Sequence, residues 1–378
     1  MAQLPPATAA TTAPMNPPVS LIRKVQTSAE SFDKIALIGR GDVGKVYLVK
    51  HKESGKYFAM KVLDKHEMIE RNKIKRVHTE REILSTADHP FIVTLHWSFQ
   101  SQSHLYFVME CCQGGEFFRM LQKQPGRCLK EDDVRFYAAE VLLALEYLHM
   151  KGFIYRDLKP ENILLHQTGH VMLTDFDLSK QAPGAATAQV IKKMFEKPEI
   201  YSVPELGTNS LVGTAEYLAP EVIQGYGQSS SVDWWTFGIL IYEMLFGHTP
   251  YKGKSQDDTF NHILDGELKF PDHPYHPVGS NTKSLIKKLL HADPKKRLGA
   301  QHGSTDIKKH KFFDGKINFT LIRNLHPPMI PKINGPEDTS NFRVIKDDIP
   351  EDNTVRENEQ DAFKDFVPIN PRTEKNRS

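Results

Sequence analysis

The chain has almost no cysteine: Cys111, Cys112 and Cys128 are the three in 378 residues. That is too few for a disulfide framework, so three reduced thiols in a cytoplasmic protein are expected. Long apolar runs are missing too. None reaches the roughly 18 residues a membrane span needs, so no transmembrane segment is expected. Net charge is small, formally +2, and gives no argument for a nucleic-acid partner. No internal repeat is visible. Residues 1–18 are rich in Ala, Thr and Pro. They lack the apolar core of a signal peptide, and residues 1–31 are expected to be disordered. The whole chain, 39% hydrophobic and 25% charged, has the balance of a soluble globular protein.

From residue 31 to 110, short β-branched and aromatic runs alternate with turn residues. Lys45-Val46-Tyr47-Leu48-Val49 and Tyr57-Phe58-Ala59-Met60 read as strands. One helix, about residues 76–85, interrupts them. From Glu131 the period changes. Val134, Tyr137, Ala138, Val141, Leu145 and Leu148 recur at helical spacing, and Leu285, Ile286, Leu289 and Leu290 do so again later. A smaller sheet-rich unit is therefore followed by a larger helical one. A cleft between two such units is a natural ligand site. Beyond Phe313, Pro327, Pro328, Pro331 and Pro336 rule out long helices. The last stretch is polar except for Phe363 and Phe366.

Several clusters carry chemistry. Gly39-Arg40-Gly41-Asp42-Val43-Gly44-Lys45-Val46 reads G-x-G-x-x-G-x-V between two strand-like runs. Glycines let a backbone approach phosphates closely. A strand after the glycines, instead of a helix, argues against a dinucleotide fold. Lys61 sits in a strand that otherwise buries apolar residues, which suits a point charge for phosphates. Glu80, on the helical stretch, is placed to pair with it. The sharpest signal is Tyr155-Arg156-Asp157-Leu158-Lys159-Pro160-Glu161-Asn162. Phosphoryl transfer needs a carboxylate to orient the attacking hydroxyl and take its proton, hence Asp157. It needs positive charge near the transferring group, hence Lys159. It needs hard oxygen ligands for Mg²⁺, hence Asn162 and, from Asp175-Phe176-Asp177, Asp175. The chain offers no Cys/His cluster for zinc.

These motifs resemble the protein kinase pattern over residues 32–313. Gly213-Thr214-Ala215-Glu216-Tyr217-Leu218-Ala219-Pro220-Glu221, Asp233-Trp234-Trp235 and Arg297 extend the likeness. The resemblance implies an α+β, two-lobed fold, with lobes over 32–110 and 111–313, and ATP and Mg²⁺ as cofactors. It implies Met109 as gatekeeper and a hinge from Glu110 to Cys112. Ile38, Gly39, Gly41, Gly44, Val46, Ala59, Lys61, Met109, Glu110, Cys112, Glu116 and Phe342 are then the expected ATP-binding set. Tyr155 in place of the usual His, Gly335-Pro336-Glu337-Asp338-Thr339-Ser340-Asn341-Phe342, and Phe363-Lys364-Asp365-Phe366 resemble the AGC group. Residues 314–378 then form its tail, with a hydrophobic motif at 363–366.

Asp177 in place of glycine, Lys73-Ile74-Lys75-Arg76 and an insertion over residues 183–204 resemble the fungal flippase-kinase branch, akin to plant phototropins. That branch implies phospholipid flippases among the protein substrates. The resemblance places an activating phosphate at Ser210, with an upstream kinase as partner, and a regulatory role at Thr214. Arg156 is then the phosphate's partner. Val367 stands where a tail phosphate would go, so docking without tail phosphorylation is expected. Glu116, Glu161 and Glu243 match positions that select upstream arginines in cyclic-AMP-dependent kinase. Asp177 is expected to make displacement of Phe176 harder. The insertion reads either as a docking element or as a mobile loop. The basic run at Lys73 reads as a solvated helix face or as a contact to anionic lipid, so peripheral membrane contact stays open. A catalytically silent scaffold is the alternative from another class.

Overall fold

A computed structural model describes residues 27–41, 43–182, 189–191, 199–206, 213–272, 274–345 and 361–370. The expectations for Ser210, for most of residues 1–31 and for much of the insertion lie outside them.

The smaller lobe is built on β1 (Phe32–Arg40), β2 (Gly44–His51), β3 (Tyr57–Asp64), β4 (Leu95–Gln100) and β5 (His104–Met109). They form one antiparallel sheet in the order β1-β2-β3-β5-β4. Its β-branched and aromatic residues fit a pleated surface buried on both sides. Phe58, Met60, Val62, Tyr106 and Val108 pack on one face, and Leu63, Leu105 and Phe107 on the other.

Two helices lie between β3 and β4: α1 (Lys65–Glu70) and α2 (Ile74–Thr86). The sequence reading had one. Helix α1 is short and buries a single large apolar side chain, Met68, so it shows no periodicity. It does carry a start signal: the Asp64 side chain accepts from Glu67 N at 2.9 Å. Helix α2 begins two residues earlier and ends one later than expected, and it buries Val77, Glu80, Ile83 and Leu84.

The larger lobe opens with α3 (Phe117–Gln122) and α4 (Glu131–Met150). All six periodic residues of α4 are buried. Short ladders follow: β6 (Phe153–Ile154) with β9 (Lys180–Gln181), and β7 (Ile163–Leu165) with β8 (Val171–Leu173). In the insertion β10 (Gln189–Ile191) pairs with β11 (Glu199–Tyr201); just beyond it β12 (Glu205–Leu206) pairs with β13 (Gln228–Ser229). Pro204 O accepts from Ser230 N at 2.8 Å, and Ser202 is buried. So the C-terminal end of the insertion is seated on the lobe. Helices α5 (Pro220–Ile223), α6 (Ser231–Phe246), α7 (Gln256–Asp265), α8 (Ser280–Leu289) and α9 (Ser304–Lys308) complete the lobe. Helix α6 is buried all round, as befits a core helix, and stops at Gly247, whose φ of 75° closes it.

The tail has no α-helix from 314 to 345, as its prolines require. It crosses the hinge: Gln113 Nε2 donates to Gly335 O at 3.0 Å, and Asn341 Nδ2 to Gln113 O at 3.2 Å. Phe342 packs with Ile38, Leu48 and Cys111. Farther on, Phe363 and Phe366 are fully buried in the smaller lobe. Phe366 lies 5.6 Å from the Phe107 ring, with the Arg81 guanidinium 4.5 Å over it. Gln100 Nε2 donates to both Phe363 O and Phe366 O at 3.0 Å.

Candidate active site

The glycines sit where β1 turns into β2. Gly44 is held by packing: a Cβ there would meet Val62 O at 2.3 Å. Gly41 has open space, its nearest atom for a Cβ being Gly44 O at 3.8 Å. The turn is closed by Gly41 N donating to Gly44 O at 2.9 Å. Below it lies a cavity of about 340 Å³ between the lobes. Ile38, Gly39, Val46 and Ala59 roof it, with Gly41 and Gly44. Met109, Glu110 and Cys112 line its back, and Glu116 and Phe342 its outer rim. The Glu110 backbone N donates to Thr94 O at 2.9 Å, and its side chain meets His166 at 3.2 Å.

Lys61, Glu80, Asn162 and Asp175 line this cavity; Asp157 and Lys159 do not line it themselves but reach it through Asn162. Lys61, from β3, donates to Glu80 of α2 at 2.7 and 3.0 Å, and to Asp175 Oδ1 at 3.3 Å. Burial works against the Lys61 ammonium, but Asp175 and Glu80 outweigh it and hold its pKa above the usual lysine range. The Lys61 ammonium holds Asp175 below the usual carboxylate range. Burial pulls Glu80 up while Lys61 pulls it down; two contacts at 3.0 Å or less make the charged pair the state the site holds.

Asp157 is 6% exposed. Its carboxylate accepts from Lys159 Nζ at 2.9 Å and from Asn162 Nδ2 at 2.7 Å. Burial pushes its pKa up, opposed by those two partners. Asn162 Nδ2 also donates to Asp157 O, so the amide nitrogen is committed to the loop. Its other atom is an oxygen, and Asp175 adds a carboxylate at the same cavity. Hard oxygen donors of this kind fit Mg²⁺.

What fixes the loop is Asp233, outside the set of expected site residues. Asp233, fully buried on α6, accepts from Tyr155 N at 2.9 Å, Arg156 N at 2.7 Å and His149 at 2.7 Å. The signal was there: a carboxylate at the start of a helix as apolar as α6 must be hydrogen-bonded to be tolerated. It also supports the left-handed backbone of Arg156, φ 66°. Arg297 meets Glu221 at 2.6 and 2.8 Å, fully buried, and ties the loop between α8 and α9 to the start of α5.

Three acidic residues spread along the outer side. Glu116 and Glu161 line the cavity. Glu243 does not; it is buried on α6 and bonded to the Tyr217 hydroxyl. Burial pushes Glu243 up to about 7, and the charges of Glu161 and Glu216 add to this. Thr214 lines a small cavity with Arg156 and Asp157.

Residues 32–313 match the protein kinase domain family. The chain is 58% identical over 335 residues to "Serine/threonine-protein kinase nrc-2" of Neurospora crassa, covering 86% of this chain and 54% of that protein. It is 53% identical over 343 residues to "Flippase kinase 1" of Saccharomyces cerevisiae, covering 90% and 37%. It is 46% identical over 355 residues to "Phototropin-1A" of Oryza sativa, again covering 90% and 37%. The chain thus spans between about a third and somewhat over half of these relatives' lengths. With 282 residues matched to the domain, the chain belongs to the protein kinase family and is similar in sequence to these fungal and plant kinases.

Proposed function

We propose that the chain transfers the γ-phosphoryl group of ATP to serine or threonine hydroxyls of proteins, phospholipid flippases among them. The observation that carries this is two hydrogen-bonded clusters that share one cavity: Lys61, Glu80 and Asp175, and Asp157, Lys159 and Asn162, with Asn162 and Asp175 both lining it. A catalytically silent scaffold has no need for such a set.

In this reading the adenine lies among Ile38, Val46, Ala59 and Phe342, and Gly39, Gly41 and Gly44 cover the phosphates. Lys61, fixed by Glu80, holds the α- and β-phosphates. The carboxylate of Asp157 accepts the proton of the substrate hydroxyl as its oxygen attacks phosphorus. The new O–P bond forms as the bond to the β-phosphate oxygen breaks, and ADP leaves. Lys159 steadies charge on the group in flight, and its bond to Asp157 keeps the base aimed. Mg²⁺, when bound by Asn162 and Asp175, neutralises the phosphate oxygens.

Glu116, Glu161 and Glu243 favour arginines upstream of the target residue. A phosphate at Ser210, added by an upstream kinase, orders the activation segment through Arg156, with Thr214 beside it. Phe363 and Phe366 support α2 and its Glu80. The flippase substrate rests on the likeness to Flippase kinase 1, which covers 37% of that protein.

The test is ³²P transfer from MgATP to a cytosolic flippase segment and, in parallel, to an Arg-rich peptide, with wild type and Asp157→Asn. Transfer to both, lost in the variant, supports the whole reading. Transfer to the peptide alone removes the flippase. Transfer to neither, from protein already phosphorylated at Ser210, returns the scaffold reading.

A further inference from the structure

Asp177 stands where the metal-binding triplet of most kinases ends in glycine. Among the described non-glycine residues the left-handed ones are Asn72, Arg127, Arg156 and Asp175. Asp177 is not one of them, so this conformation does not use the freedom a glycine would give. The strained residue of the turn is Asp175, φ 57°. A side chain at 177 therefore needs no strained backbone in this state, and where it points matters.

It points at α2. Asp177 Oδ2 lies 3.8 Å from Lys73 Nζ and 3.9 Å from Arg76 Nη1. Lys73 precedes the helix as its cap, and Arg76 is in its first turn. The three side chains are 28%, 13% and 39% exposed, so the pairs are partly shielded from solvent. All three line the inner end of the ATP cavity. Two residues of the basic run, Lys73 and Arg76, are thus not wholly a solvated face.

The consequence is geometric. Arg76 and Glu80 are four residues apart, on the same face of α2, about 6 Å along its axis. Glu80 reaches the metal-binding turn through Lys61 and Asp175; Arg76 and Lys73 reach the same turn through Asp177. The Lys61–Glu80 bridge restrains this face of the helix at one point along its axis. Two bridges, separated along the axis, fix its rotation.

We infer that Asp177 is a positioning residue: with Lys73 and Arg76 it forms a second tether between the metal-binding turn and α2, holding Glu80 against Lys61. It rests on the roles given above to Lys61 and Glu80. A kinase with glycine here lacks this tether and relies on other contacts to keep the helix in.

The test is steady-state kinetics with MgATP and an Arg-rich peptide. Asp177→Asn is expected to lower kcat by about two- to fivefold, the range open to partly exposed ion pairs, with the peptide KM unchanged. Asp177→Glu keeps the charge and restores most of the rate. In a Lys73→Gln/Arg76→Gln background, adding Asp177→Asn changes nothing further, because the partners are already gone. Lys61→Met, run alongside, loses transfer. If Asp177→Asn matches wild type, or if its loss simply multiplies with that of the Lys73/Arg76 pair, the tether is refuted while Lys61→Met keeps the site. If Lys61→Met is also fully active, the reading of the site falls with it.

Discussion

At the scale of single residues, the buried charges are the ones with consequences. Arg297 and Glu221 form a pair with no solvent to rescue either partner. Glu221→Ala leaves an unpaired guanidinium and is expected to cost about 3–5 kcal/mol, read from urea unfolding. A loss below about 1 kcal/mol, the exposed-pair range, would show that the guanidinium finds other partners. Glu243 gives a pH effect. Its pKa of about 7 lies above the ordinary carboxylate value, so it carries charge only as pH rises through neutrality. If it helps bind substrate arginine, the KM of an Arg-rich peptide falls as pH rises from 6 to 8, and Glu243→Gln flattens that slope. An unchanged slope would remove Glu243 from substrate recognition. Phe176 is buried against the Tyr155 ring, 5.4 Å away. An inhibitor that needs Phe176 displaced is expected to bind Asp177→Gly about tenfold tighter than wild type, near 1.4 kcal/mol, by calorimetry.

At the scale of elements, α2 is attached on two sides. Lys61 holds Glu80 on one side, and on the other Arg81, the next residue, donates to Asp365 O at 3.1 Å and also to Val367 O. The tail's Ile369 and Ser98 of β4 exchange two backbone bonds, 3.1 and 2.9 Å. Removing one ring, Phe366→Ala, forfeits roughly 1.5–3 kcal/mol of burial. The expected outcome is a lower thermal midpoint and a several-fold lower kcat, with the ATP site otherwise intact. A variant with unchanged kcat would show that α2 stays in place without the tail. Helix boundaries within this region were legible to two residues. Helix α1 was not, because one buried Met68 makes no period; only the Asp64–Glu67 cap marked it.

At the scale of the whole molecule, the sequence determined the order of events along the chain. A sheet lobe, a helical lobe and a proline-broken tail follow from periodicity and composition, because each pattern works within a few residues of itself. The chemistry of Asp157, Lys159 and Asn162 was legible for the same reason: they share one short loop. What only the tertiary structure decided are the meetings between distant residues. Asp233 anchors a loop 77 residues away, through Arg156 N. Phe342 reaches the cluster of Ile38, Leu48 and Cys111 across the hinge. Asp177 faces Lys73 and Arg76, about a hundred positions earlier. Sequence spacing is silent on such pairs, since packing of the two lobes and the path of the tail bring them together. Local patterns specify which groups a protein owns; burial and long-range contact specify what charge, strain and partner each group receives.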